Sequence, residues 1–447
     1  MQYKFAKFVI TVTAIILMSC KPTMKAPAVD KGHVDATRFV ALGNSITSGY
    51  ADGALYYEGQ KNSFVNLIAE QFKLIGGGNF NQPYMNASSI GVGSDGNAPF
   101  KLDYATDCLG ATSLMPVPTA TAGDVAALST SIYSSQGPFN NMGVPGAKVI
   151  TALLAGYGNQ ANGAGNYNPF FYRMAANPAT SSMLSDAVAM NPTFFSLFLG
   201  NNDVLAYALA GGNSDAITPS AGPVGVGFNA SLQSIVNALT NNGANGVIGN
   251  IPDITALPYF TTIPYNGLTL RQGQADSLNN ATGGFFGFKA GNNNFIIEDP
   301  DSALGFRHIH ADELILLDVP LDQIKCHGMG SLTPIPDKYI LRSGEIANIQ
   351  NAIIAYNNTI ASIASDKGLA LVDVNAFLKS AQKGIVYNGI SLNMNFVTGG
   401  AFSLDGLHLN PIGQALLANE FIKAINKKYS STIPQVDATK YRGIIFP

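Results

Sequence analysis

The fold class that the sequence predicts is α/β, a doubly wound and mainly parallel sheet. Three observations point to it: short apolar runs recur along the chain, helical periodicities lie between them, and Gly, Asn, Pro or Asp follows each run. The first run is Arg38-Phe39-Val40-Ala41-Leu42. Three others are Thr193 to Leu199, Gly246 to Ile251 and Leu369 to Val374. Continuous apolar runs of this kind suit strands covered by helices on both faces, and functional loops begin where such strands end. Among the helices, Phe64, Leu67, Ile68 and Phe72 share one face, and Gly76-Gly77-Gly78 stops the segment. A second helix is expected from Ser343 to about Ser365, with Ile346, Ile349, Ile353, Tyr356, Ile360 and Ile363 in one stripe. The last has Asn410 as N-cap, Pro411 in its first turn and Lys427-Lys428 at its end, where cations complement the helix dipole.

With 447 residues, 47% hydrophobic and 12% charged, the chain has ample material for a buried core. A formal net charge of -3 offers no basic field to a nucleic-acid backbone, so nucleic acid is not an expected partner. Lys4 and Lys7, the apolar run Phe8 to Met18, and Ser19-Cys20 follow the order of a secretory signal. Leu17-Met18-Ser19-Cys20 resembles a bacterial lipobox, which implies acylation of Cys20 and export to the cell envelope, with the membrane reached through acyl chains. The expected organisation is a signal over 1–19, a tether over 20–36, one domain over 37–430 and a C-terminal extension over 431–447. Two stretches, about 79–138 and 256–342, depart from the alternating pattern and read as insertions. Cys108 and Cys326 remain, and an oxidising compartment would permit a bridge between them.

Four short patterns carry the chemistry. Gly43-Asn44-Ser45-Ile46-Thr47 follows the first strand, a turn that can present a serine oxygen beyond the sheet edge. In Asn141-Met142-Gly143-Val144-Pro145-Gly146, glycine lets a backbone N–H approach a reacting oxygen. Gly200-Asn201-Asn202-Asp203 closes an apolar strand, and an Asn there can offer its amide as a donor. In Asp405-Gly406-Leu407-His408, an acid three residues before the imidazole can accept its Nδ1–H and leave Nε2 facing a serine. Each pattern alone is also ordinary turn chemistry; their joint occurrence in this order is what counts.

Together these residues resemble the SGNH (GDSL-type) hydrolase family, whose blocks supply Ser, Gly, Asn and His in that chain order. The matching stretches are ALGNSITSGY, FNNMGVPGAKV, LFLGNNDV and SLDGLHLNPIGQALLA, spread over residues 38 to 425, with Gly249-Asn250-Ile251-Pro252-Asp253-Ile254-Thr255 as a further similarity. One departure is Asn44, where the family has Asp; it bears on local hydrogen bonding alone. The resemblance implies a flavodoxin-like three-layer α/β/α sandwich with long loop insertions. It also implies Ser45 as nucleophile, His408 as base and then acid, Asp405 as the group orienting His408, and Ser45, Gly146 and Asn202 as oxyanion donors, with no metal and no cofactor. The expected substrates are small-molecule, lipid or glycan esters, a lipid-type ester first and an O-acetylated glycan second.

Other readings stay open at this stage. His308 and His310, with Cys326 and His327, could ligate a metal in a different hydrolase. A surface lipoprotein that binds glycan or lipid without catalysis is a third class. The α/β-hydrolase elbow is disfavoured, because Thr47 stands where its second glycine belongs. The aromatics Tyr259, Phe260, Phe285, Phe286 and Phe288 are candidates to line an acyl groove.

Overall fold

The computed structural model describes residues 28–214 and 216–447. The expected signal, Cys20 and the first part of the tether lie outside the described residues. Five strands, all parallel, form the central sheet: β1 Phe39–Gly43, β2 Asn141–Gly143, β3 Phe194–Phe198, β4 Asn245–Gly249 and β5 Ala370–Val372. Their spatial order is β2-β1-β3-β4-β5, the flavodoxin-like winding. Gly43 stands level with Gly143 on one side and with Phe198 on the other. This register makes the chain leave all three strands at one edge, so the loops after them are neighbours.

The helices that matter to the core and the site are α1 Ser45–Ser48, α2 Phe64–Lys73, α3 Met183–Ala189 and α4 Asn202–Leu209. They continue with α5 Phe228–Thr240, α6 Ser343–Asp366, α7 Val374–Lys383 and α8 Pro411–Tyr429. Side chains alternate across the sheet, so Val40, Leu42, Phe195 and Leu197 join the core shared with α3, α5 and α6. Phe39, Ala41, Phe194 and Phe198 face the core formed with α2 and α8. Both faces are therefore apolar and covered, which explains the unbroken hydrophobic runs. On the second face the ring of Phe421 lies 4.7 Å from Phe64 and 5.9 Å from Phe198. The Asn410 side chain accepts the Gly413 N–H, and Pro411 occupies the first turn of α8.

Two expectations need correction. The end of the stretch assigned to a tether is folded into the domain: Val34 and Ala36 are buried, and Asp30 N–H donates to Thr432 Oγ1. Apolar Val34 and Ala36 decide this, since a solvated linker has no reason to bury them. The second block, read as a turn, begins as edge strand β2, too short for a periodicity to be seen.

The insertion at 79–138 contains an antiparallel hairpin, Phe100–Thr106 with Thr112–Pro118. That at 256–342 builds small cores of its own around Phe295, Ile297 and Ile335, and around Leu270, Phe288 and Ile296. Cys108 of the first and Cys326 of the second form a disulfide across 218 positions. The last residues also pack on the domain, with Ile433, Val436 and Ala438 buried.

Truncating Phe421 removes the ring that joins α2, α8 and β3. Phe421→Ala is expected to lower unfolding free energy by about 3–5 kcal/mol in urea titration, because a sealed core cannot collapse around the lost ring.

Candidate active site

Ser45 is the first residue of the helical turn α1, immediately past β1. The Asn44 side chain caps this turn by accepting the Ile46 N–H at 3.0 Å, a bond for which an Asn oxygen serves as well as a carboxylate. Gly43 is required by close approach: a Cβ there would lie 2.0 Å from Thr47 Oγ1 and 2.8 Å from the Phe198 carbonyl oxygen. Such crowding pins the turn against β3 and fixes where the hydroxyl points.

His408 sits in the loop before α8. The loop is closed by the Ser403 N–H on the His408 carbonyl and the Gly406 N–H on the Ser403 carbonyl. Gly406 has φ +70°, and a Cβ would meet the Tyr259 nitrogen at 3.0 Å. His408 Nε2 lies 2.8 Å from Ser45 Oγ, and Nδ1 lies 2.8 Å from Asp405 Oδ2. Since an ionised carboxylate only accepts, Nδ1 carries the proton and Nε2 is left to accept from the serine hydroxyl. The three side chains are nearly closed to solvent, with Ser45 7% and His408 9% exposed.

Burial alone would raise the pKa of Asp405, but the His408 imidazole and the hydrogen bonds it receives outweigh that. Its Oδ1 accepts the N–H groups of Leu407 and His408 and the Ser403 hydroxyl, while Oδ2 also accepts the Gly53 N–H. The carboxyl is thereby held well below the usual range and stays ionised across the physiological interval.

The donor residues come from the neighbouring strand ends. Asn202 opens α4 after β3, and its amide donates one hydrogen to the Ala147 carbonyl at 3.0 Å, which leaves the other free. Gly146 follows β2 in the left-handed region, φ +79°, and the Val144 N–H bonds the Gly43 carbonyl to dock this loop on β1. Among the described residues, neither the Ser45 nor the Gly146 backbone N–H has a hydrogen-bond acceptor within the protein. Three donors without a full set of acceptors thus come from the loops that the sheet register aligns.

A cavity of about 60 Å³ adjoins Ser45 and His408, with walls that include Leu205, Ile254, Leu257, Phe377, Leu378 and Phe402. Asn201 and Asn202 also border it, and Asn201 Oδ1 is buried without a hydrogen-bond partner. The insertion aromatics expected to line an acyl groove do not reach this cavity. Phe260 lies in the main core, and Phe286 and Phe288 pack around His308. Apolar side chains of the main domain form most of the walls instead, joined by Leu257 at the start of the second insertion.

The histidine cluster proposed as a metal site is not assembled. The ring nitrogens of His308 lie 3.2 Å from the Asn294 carbonyl oxygen and 3.0 Å from that of Phe286, while the His310 side chain is 62% exposed. Cys326 is consumed in the disulfide. Nearby Arg307 pairs with Asp299 and Glu313, which gives this polar patch a structural account.

Sequence reasoning missed two groups. Asp203, inside the third block, is fully buried, and its Oδ2 accepts the Val149 N–H to tie α4 to the loop after β2. Asp52, Gly53 and Ser403 surround Asp405; no motif marks them, although Asp52 lies only seven residues past Ser45.

No family model and no curated protein matches the chain. Among solved structures, the lipase/acylhydrolase from Enterococcus faecalis is 11% identical with a TM-score of 0.32, over 89% of this chain and 98% of that one. A catalytic mutant of Axe2, an acetylxylan esterase from Geobacillus stearothermophilus, is 10% identical with a TM-score of 0.36, over 88% and 96% of the two chains. LAE5, an alpha/beta hydrolase enzyme from the metagenome of Lake Arreo, is 11% identical with a TM-score of 0.34, over 90% and 97%. At such identities and scores the likenesses carry no weight beside the geometry.

Asp203 generates a pH prediction. Burial raises its pKa to about 6 from an ordinary 3.8, so between these values the unfolded chain is ionised while the folded one still holds its proton. Stability from this group is complete below the ordinary value and is lost as pH rises through the folded one, by about 3 kcal/mol in all. Asp203→Asn is expected to flatten the fall in unfolding free energy between pH 4 and 6, as read by denaturant titration at several pH values.

Proposed function

We propose that the protein is a serine ester hydrolase of the SGNH type. The observation that carries this reading is the unbroken chain from Ser45 Oγ through His408 to Asp405, with 2.8 Å at each link. Ser45 attacks the acyl carbonyl as Nε2 takes its proton, and ionised Asp405 stabilises the imidazolium that results. The oxyanion is met by the backbone N–H groups of Ser45 and Gly146 and the free amide hydrogen of Asn202, each worth about 100- to 1000-fold in rate. Collapse expels the alcohol, protonated by His408, and water then repeats the sequence on the acyl-enzyme. These steps are the chain's own and involve no metal or cofactor.

The apolar walls of the cavity beside Ser45 favour an apolar acyl group, and its volume of about 60 Å³ favours a short one. A short-chain ester of lipid type is the first reading. An O-acetylated glycan is the second, supported by the same small volume and by the unpaired carboxamide oxygen of Asn201 at the cavity wall. A binding lipoprotein without catalysis leaves the Ser45–His408 contact without a role. We also propose export as a lipoprotein acylated at Cys20, supported by the order of the N-terminal residues and by the Cys108–Cys326 bridge, which suits an oxidising compartment.

Ser45→Ala is expected to abolish hydrolysis of p-nitrophenyl acetate with an unchanged circular dichroism spectrum; undiminished turnover would exclude Ser45 as nucleophile. Asp405→Asn leaves the imidazole without its acceptor and is expected to lower kcat by about 10³- to 10⁴-fold. Across p-nitrophenyl esters, kcat/KM should peak at short acyl chains, with an acetylated polysaccharide assayed in parallel. A maximum at long chains would contradict the cavity-based preference.

A further inference from the structure

We propose that Asp52 is a positioning residue, which clamps the loop bearing Asp405 and His408 to the segment leaving the nucleophile turn. This inference rests on the reading of Ser45 and His408 as the reacting pair. Ser45 and Asp52 are joined by a short stretch that folds back on itself: the Tyr50 N–H bonds the Ser45 carbonyl, and Ala51 and Ala54 exchange hydrogen bonds. Whatever grips the loop from this stretch therefore sets the distance from the imidazole to the hydroxyl.

Asp52 grips at several points. Its Oδ1 accepts the Leu404 N–H at 2.9 Å, and its own N–H donates to Ser403 Oγ at 3.0 Å. The Ser403 hydroxyl passes the link on, donating to Asp405 Oδ1 at 2.9 Å, while the adjacent Gly53 N–H reaches Asp405 Oδ2. The clamp is itself held in place. Tyr56 Oη donates to Asp52 Oδ2 at 2.7 Å, and the Phe100 N–H at the base of the inserted hairpin bonds the Asp52 carbonyl.

Asp52 has φ +53°, a left-handed conformation that Asp tolerates better than most residues with a side chain. A cavity of about 430 Å³ is bordered by Asp52, Tyr56, Leu404 and Arg442. Phe402, Ser403 and Leu404 are nonetheless buried, so the hydrogen bonds from Asp52 act together with close packing to fix the loop.

The test is steady-state hydrolysis of p-nitrophenyl acetate by the full-length protein, with folding checked by circular dichroism. Asp52→Ala is expected to lower kcat about 10- to 100-fold, as a displaced catalytic group does, and to leave KM within about twofold. Asp52→Asn keeps an acceptor for the Leu404 N–H and should recover most of that loss. A folded Asp52→Ala with kcat within about twofold of the parent, a change confined to KM, or an Asn variant as impaired as the Ala variant would each overturn the positioning role. If Asp52→Ala does not fold, Ser403→Ala reads the same link and is expected to lower kcat about 3- to 10-fold; unchanged kcat there would count against the proposal. Ser45→Ala separates the two levels. If it is inactive while Asp52→Ala is fully active, only the clamp fails, whereas turnover without Ser45 removes the underlying reading as well.

Discussion

The hydrogen bond between Ser45 Oγ and His408 Nε2 joins residues 363 positions apart, and much of the architecture can be traced to what holds it at 2.8 Å. A contact so distant in sequence has no local support. It exists because β1 and the loop before α8 are each anchored to the same sheet and core. Gly43 lets the turn bearing Ser45 lie against β3, and the Asn410 cap starts α8 at a defined point after the imidazole. Small errors in either anchor would act directly on the Ser45–His408 distance.

The insertions are part of this support. Tyr259, near the start of the second, donates its N–H to the Gly406 carbonyl and accepts the Leu317 N–H with its own. On the other side, the hairpin of the first insertion bonds the Asp52 carbonyl through Phe100. The disulfide links the two insertions at Cys108 and Cys326. The loop with Asp405 and His408 is thus flanked by segments that the minimal α/β pattern does not contain. Their cost in chain length is matched by what they restrain.

Three aspartates show how environment assigns different states to one side chain. Asp405 is held ionised by the imidazole and by the N–H and O–H donors around it. Asp203, buried with one oxygen unpaired, is pushed up to about 6 by desolvation. Asp52 is also raised by burial, despite the Leu404 N–H and the Tyr56 hydroxyl that favour its charge, and the charge of Asp405 adds to the rise. The charge of Asp405 makes neighbouring Asp52 harder to ionise, whereas desolvation raises Asp203.

Much of this was legible in the chain itself. Apolar runs determined four of the five central strands to within one or two residues at each end, and capping and dipole signals determined α8, because these depend on local sterics and on burial of both sheet faces. The residues that meet at the site, Ser45, Asp405 and His408, were legible as motifs, since each lies in a short pattern near a strand end or before a capped helix. Tertiary structure decided the rest. The three-residue strand β2 is too brief for a period and exists only through pairing with β1. Val34 and Ala36 were apolar residues in a polar context, and only the core they enter shows why. The cavity walls and the hydrogen bonds of Asp52 to Ser403 and Leu404 arise between residues hundreds of positions apart, where no spacing along the chain encodes distance; there the folded sheet, and not the sequence, brings the groups within reach.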